Sequence, residues 1–370
     1  MRSTIPLTRK VFALLLAVPL LLGLAACRRK APPPTSSNPN DLAAEFAAAA
    51  RGAAGAESPI RIVPAASLTG ALTRVLVSLP DSARLEAVES AWRSAAGERA
   101  VTFEARDTGA AAAAFAVSSG GKALLVLEVF ERPAAAPGTP QRGNVVPELA
   151  IIVDDLGYDP AAARAVFALP GRVSVAVLPN LPESPAIAEE AHRRGIEVLL
   201  HLPMESLGGE DGAEKIELRV GEPAAEVSRV LDEMLSTVPY AVGVNNHQGS
   251  RATADPTLMA ALAAALRVHG LFFIDSRTSA ATRALDAARR AGVPAAARNV
   301  FLDDDEQPAA IRRQLELAER VAREQGGCVA IGHPHGATLD VLADALPEVE
   351  ARGVRLVTAS EIVRSTAGPR

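Results

Sequence analysis

Five apolar runs in this chain each end in a carboxylate or an imidazole: IIVDD at Asp154 and Asp155, EVLLH at His201, AVGVNNH at His247, LFFID at Asp275 and CVAIGH at His333. Carboxylates and neutral imidazoles are the side chains that hold a hydrolytic metal ion and move protons around it. His201, His247 and one carboxylate would fill three positions of a Zn2+ ion and leave the fourth for water. Nickel, cobalt or iron would suit the same donors. Either both carboxylates of the Asp154-Asp155 pair reach the cavity, or one of them caps the turn before Leu156-Gly157-Tyr158.

Residues this far apart meet only if the chain gathers the ends of its strands. Short runs of Val, Ile and Leu between helical segments read as buried parallel strands, whose C-terminal ends collect on one face of a sheet or barrel. From residue 148 the chain alternates in this way, through ELAIIVDD, RVSVAVLP, IEVLLHLP, AVGVNN, LFFID, PAAARNVFL, CVAIGH and VRLVTA with helices between them. Gly195, Gly270, Gly292, Gly326 and Gly353 stand where helix C-terminal caps belong. About eight strands predict an α/β fold, a deformed (β/α) barrel over residues 147–365.

The rest of the chain divides at breaks in pattern. A basic segment, the apolar run VFALLLAVPLLLGLAA and the small residues before Cys27 describe an export signal over residues 1–26. Cys27 resembles a lipobox cysteine. That resemblance implies acylation of Cys27 and a membrane anchor, facing the periplasm and preferably in the outer membrane. Residues 27–40 are a Pro/Ser linker, and residues 41–133 read as a small α+β domain with helices at DLAAEFAAAARGAA and ARLEAVESAWRSAA and strands at VTFEARD and ALLVLEVFE. A Pro/Gly-rich linker over 134–146 separates it from the barrel. The net charge of -5 gives no footprint for nucleic acid. Only 3% of residues are aromatic, so Trp or Tyr platforms for sugar rings are scarce, and Tyr158 is the nearest candidate. Cys328 reads as a buried strand residue. His192 and His269 fall in last helical turns and read as surface residues.

In order, IIVDDLGY, SVAVLPN, EVLLHLPMES, VGVNNHQGSRAT, LFFIDSRT, NVFLDDD and AIGHPHGAT resemble the divergent polysaccharide deacetylase family, relatives of the NodB-type carbohydrate esterases. The resemblance spans roughly residues 148–363. It implies metal-dependent removal of acetyl groups from an N-acetylated polysaccharide or oligosaccharide. It further implies that Asp154 is the base, that Asp155 binds metal, and that His333 in GHPH is the acid toward the leaving amine. The two histidines four residues apart in better-known relatives are missing, so His201 and His247 take their place as expected ligands.

Several supporting roles stay open. His335 either orients its loop or binds substrate. Asp275 is expected to pair with one of these histidines. Arg251 and Arg277 either contact substrate hydroxyls or a carboxylate, or bridge Asp275. Asn245 and Asn246 either fix loop geometry or donate to a sugar. Asp303-Asp304-Asp305-Glu306 reads as a strand end followed by helix N-terminal charge. Two functions follow: a lipid-anchored, periplasm-facing deacetylase, or a glycan-binding envelope protein that keeps the fold without turnover.

Overall fold

The computed structural model describes residues 38–55, 58–65, 72–80, 82–99, 101–106, 111–131, 146–207 and 216–366. The expected export signal, Cys27 and most of both expected linkers lie outside the described residues. Among the described residues, no helix is long and apolar enough to cross a membrane.

The first layer contains α1 (Pro39–Ala54), β1 (Ile60–Val63), β2 (Thr73–Leu79), α2 (Leu85–Arg99), β3 (Thr102–Ala105), β4 (Ala113–Ser119) and β5 (Lys122–Glu131). Its sheet runs β1-β2-β5-β4-β3, with β2 and β5 parallel and the other pairs antiparallel. Asn38 starts α1 by accepting from the Asn40 amide at 2.9 Å. Leu42, Phe46, Val88 and Trp92 then bury one face of α1 and α2 on Val75, Phe115 and Leu127. The Trp92 indole N–H, inside this core, donates to the Phe46 carbonyl at 2.9 Å. The sequence patterns found both helices and β3 and β5 but not the other strands. β2 is buried along nearly its whole length and so lacks a period of two, β4 is alanine-rich, and β1 is four residues long.

The second layer starts at β6 (Glu148–Leu156) and alternates through α3 (Pro160–Phe167), β7 (Ser174–Val177), α4 (Ser184–Arg193), β8 (Glu197–Met204), α5 (Ala224–Thr237), β9 (Gly243–Gln248), α6 (Pro256–His269), β10 (Phe272–Asp275) and α7 (Ala284–Arg290). It ends with β11 (Ala295–Ala297), β12 (Val300–Phe301), α8 (Pro308–Gln325), β13 (Gly327–Gly332), α9 (Gly336–Ala351), β14 (Arg355–Val357) and α10 (Ala359–Thr366). The sheet order is β11-β10-β9-β8-β7-β6-β13-β12, with β14 added beside β6. All of its pairings are parallel. The expected single strand PAAARNVFL is split. Its first half pairs with β10 and its second half with β13, so one kinked stretch brings the two ends of the sheet together. This is the deformed (β/α) barrel the sequence predicts.

Parity along each strand decides which residues look inward. Leu149, Ile151, Val153, Val198, Leu200, Phe273 and Ala330 pack outward on the helices. Ala150, Ile152, Leu199, Phe272, Ile274, Val329 and Ile331 form a separate inner cluster, closed off by Ile362 and Val363 of α10. Carrying the same period of two toward the C-terminal ends of the strands turns Asp154, His201, Asn245, His247, Arg298, Asp303 and His333 into the barrel mouth.

Candidate functional site

Asp154 continues the inward row of β6 and is 3% exposed. Asp155 would by alternation face the helices. It instead adopts a left-handed backbone with φ 58°, and the register with β7 shifts between Val153 and Leu156. This reset brings the Asp155 carboxylate against His201 and His247, which line the same cavity as Asp154. The next turn allows no larger residue at Gly157, where φ is 136° and a Cβ would lie 3.1 Å from the Leu178 carbonyl oxygen. Gln248, the last residue of β9, and Arg277, just after β10, are also left-handed. Non-glycine residues in that region cost on the order of 1–3 kcal/mol and cluster at sites where geometry matters.

Three donor atoms meet here. His201 Nε2 lies 3.1 Å from Asp155 Oδ1, His247 Nδ1 lies 3.2 Å from the same oxygen, and the two nitrogens are 3.1 Å apart. Asp155 Oδ1 is buried and has no hydrogen-bond partner. These three atoms lie close enough together to serve as ligands of one common cation. With metal bonds of roughly 2.0–2.1 Å, the edge between ligands is about 2.9 Å for octahedral and about 3.4 Å for tetrahedral geometry, so the observed triangle fits a divalent ion. His201 is aligned from behind. It pairs in register with Asn245, and its Nδ1 lies 3.0 Å from Asn245 Oδ1. In the neutral imidazole, donation through Nδ1 puts the lone pair on Nε2, facing Asp155 and His247. Asn245 in turn donates from Nδ2 to Asp154 Oδ1 at 2.8 Å, so one amide orients both a ligand and the neighbouring carboxylate.

Charge in this small volume is strongly coupled. Burial pushes the Asp154 carboxyl above its ordinary range against the pull of His201 and His333. Burial acts the same way on Asp155, but the imidazoles of His201 and His247 outweigh it and hold that carboxyl far below the usual range. His201 resists burial through Asp154 and Asp155 and is raised to about 9.

His333 follows β13, the strand next to β6. Its Nδ1 lies 3.0 Å from Asp303 Oδ1, and Nε2 is turned toward Asp155 Oδ2 at 3.8 Å. Asp303 Oδ2 also accepts from the His333 amide at 2.6 Å and from Thr338 Oγ1 at 2.9 Å. Burial opposes ionisation of this pair, but mutual attraction wins. Asp303 lies below its usual range and His333 above.

The expected partnership of Asp275 with a histidine is not found. Its parity is outward, and it caps the start of the helix layer instead. Oδ1 accepts from the Arg277 amide at 2.9 Å, and Oδ2 accepts from Thr282 Oγ1 at 2.9 Å. Asp303 holds that partnership, and it was readable from the sequence, because it shares the inward parity of Phe301 two residues earlier. Arg251 is not at the cavity. It is exposed and pairs with Glu205 at 2.8 Å. Neither arginine side chain bridges Asp275. Asn246 is buried and fixes a loop, accepting from the Ser276 amide at 2.9 Å and donating to the Gln248 carbonyl at 2.8 Å. His335 sits at the start of α9, half out in solvent and 3.9 Å from Glu306. Together with Asp303 and His333 it makes a second group of close donor atoms, but those two are already bonded to each other.

Away from the mouth, His269 pairs with Asp232 at 2.8 Å, and His192 stacks on Tyr240 with ring centres 3.9 Å apart. Cys328 is buried at the start of β13, and burial pushes its thiol up to about 12. Tyr158 is exposed and does not line the cavity. The aromatic residue that does is Phe301. The cavity holds about 660 Å³ and is lined by Asp154, His201, His247, Arg277, Arg298, Phe301 and His333 among others, a volume within the range of small-ligand sites.

Known proteins resemble this chain over the same stretch. The model of the family described as divergent polysaccharide deacetylase matches residues 151–363. An Escherichia coli K12 protein described as uncharacterized protein YibQ is 42% identical over 216 residues, 58% of this chain and 67% of that protein. An uncharacterized protein of Haemophilus influenzae is 41% identical over 202 residues, 54% of this chain and 71% of its own length. The crystal structure of an uncharacterized Agrobacterium tumefaciens C58 protein superposes with a TM-score of 0.57 at 24% identity, covering 60% of this chain and 92% of that one. From Ile151 to Val363 the family pattern runs through every strand that lines the barrel mouth, and the chain belongs to the divergent polysaccharide deacetylase family.

Proposed function

We propose that this protein is a metal-dependent hydrolase that removes acetyl groups from an N-acetylated envelope or exported polysaccharide. The observation that carries the reading is the triangle of Asp155 Oδ1, His201 Nε2 and His247 Nδ1, with edges of 3.1–3.2 Å around a buried oxygen that has no hydrogen-bond partner. Two histidines from different strands thereby do the work expected of a paired motif on one loop.

These three residues would hold a divalent ion, Zn2+ by donor type. When bound, the ion polarises the amide carbonyl and acidifies water. Asp154, held by Asn245 beside the triangle, takes the proton of the attacking water. His333 keeps its Nδ1 on Asp303 and presents Nε2 to the cavity, from which it delivers a proton to the departing amine. Burial of Asp154 and His201 keeps competing water away from both. From the sequence alone, we also propose that Cys27 is acylated and that the enzyme works facing the periplasm. Labelled fatty acid should enter the wild type and not Cys27→Ala.

The deciding measurement is acetate release from chitooligosaccharides and peptidoglycan by protein with and without added Zn2+, alongside its metal content. Acetate released only by the metal-loaded protein is the expected outcome. Stoichiometric metal with no acetate from either glycan would instead identify a binding protein that keeps the fold.

A further inference from the structure

Two arginines face the cavity beside Asp154 and Asp304, and among the described residues neither has a carboxylate within ion-pair distance. Arg298 continues the inward row of β11, and Arg277 follows β10, and both line the space that Asp154, His201 and His247 line. Arg298 Nε donates to the Ser276 carbonyl at 2.7 Å and Nη2 to the Arg277 carbonyl at 3.1 Å. Phe301 lies beneath its guanidinium, 5.0 Å from ring centre to carbon. The group is thus fixed in place, with Nη1 left over and no carboxylate within ion-pair distance among the described residues. Arg277 is anchored through its backbone, where the amide binds Asp275 and φ is 52°. Its guanidinium has no partner among the described residues. Burial lowers the pKa of Arg298, and the charge of Arg277 lowers it further, against the opposing pull of Asp275, Asp154 and Asp304.

Guanidinium groups match oxyanions in shape and charge, and a pair of them near one another without a counterion is unfavourable until an anion arrives. We propose that Arg277 and Arg298 form an oxyanion subsite that selects N-acetylated glycans carrying a negative group, a carboxylate or a sulfate ester, next to the acetamide. This deepens the deacetylase reading and rests on it for the acetamide. Phe301 offers the sugar an apolar face between the two functions.

The test is calorimetric binding to full-length Asp154→Asn protein, so that turnover does not intervene. The ligands are N-acetylglucosaminyl-N-acetylmuramic acid, its uncharged lactyl amide, 6-O-sulfated chitobiose and plain chitobiose. At least one anionic disaccharide should bind at least tenfold tighter than its neutral counterpart. Preference for the muramic acid alone assigns a carboxylate, and preference for the sulfated sugar alone assigns a sulfate. Arg277→Gln, a change in an exposed side chain, and Arg298→Gln should each reduce the preference to under twofold. Equal binding of charged and neutral sugars, no binding of either anion, or a preference that survives both substitutions would overturn the subsite. A deacetylase that lacks the subsite would still release acetate from neutral sugars, whereas a glycan-binding protein without turnover would still show the charge preference.

Discussion

The junction between the two sheets and the mouth of the barrel are both crowded with charge, and they treat it in opposite ways. At the junction Arg74 bonds Glu128 and Glu348 at 2.7 Å and the Asp344 carbonyl at 2.8 Å. Arg312 reaches Glu348 at 3.1 Å, and Arg352 reaches Glu319 at 2.8 Å. Each of these cations has an anion. At the mouth, Asp155 Oδ1 has no hydrogen-bond partner, Arg277 and Arg298 have no carboxylate within ion-pair distance among the described residues, and Asp155, Gln248 and Arg277 bear left-handed backbones. Closed polar networks hold elements together, whereas groups left unmatched in a cavity are matched by something that binds there.

Breaking the triangle tests this contrast most severely. Asp155→Ala should reduce bound metal to background and acetate release by roughly 10³-fold, about 4 kcal/mol of barrier, with the unfolding midpoint in urea little changed in metal-free protein. Full metal occupancy in that variant would make the mouth one more structural network. Asp154→Asn should keep the metal, measured by elemental analysis, and lose roughly 10²–10⁴ in turnover, the range for a proton-transfer residue. At the junction the signs reverse. Glu348→Gln leaves Arg74, Arg312 and Arg352 short of one buried charge and should cost about 3 kcal/mol in urea unfolding, the low end for a broken buried pair, while metal content stays at the wild-type level.

The barrel and the cluster at its mouth were legible because parallel strands buried on both faces read as apolar runs, and each run announces its polar end. Runs ending at Asp154, His201, His247 and His333 did meet. What failed was the assumption that the last residue of a run always faces the cavity. Asp275 ends LFFID, yet it follows Ile274, an inner-face residue, and so points at α7. Asp303 was hidden in an acidic run and overlooked although its parity was inward. Asp155 breaks the same rule in the other direction, and no pattern in IIVDDLG encodes a left-handed residue beyond the tolerance of aspartate for it. The small sheet was harder still. Its β2 has no alternation because it is buried, and its β4 is mostly alanine.

Smaller effects sharpen the line between the two regions. Asp303→Asn keeps the shape of the acceptor that holds His333 but removes its charge. It should lower turnover roughly 10–100-fold, as for other groups that orient a working histidine, with metal retained. A variant within twofold of wild type would reduce Asp303 to a loop cap shared with Thr338. The weakest perturbation tests where the site stops. Arg251 lies close to it in sequence, four residues beyond His247, but its guanidinium is 55% exposed and already paired with Glu205. Such surface pairs contribute between zero and about 1 kcal/mol. Arg251→Gln should therefore leave acetate release, metal content and the preference for charged sugars unchanged. A tenfold loss in any of the three would mean that the Glu205 pair opens when substrate binds and that the cation-rich rim extends from Arg277 to Arg251. The border would then follow sequence proximity rather than the inward parity of the strands.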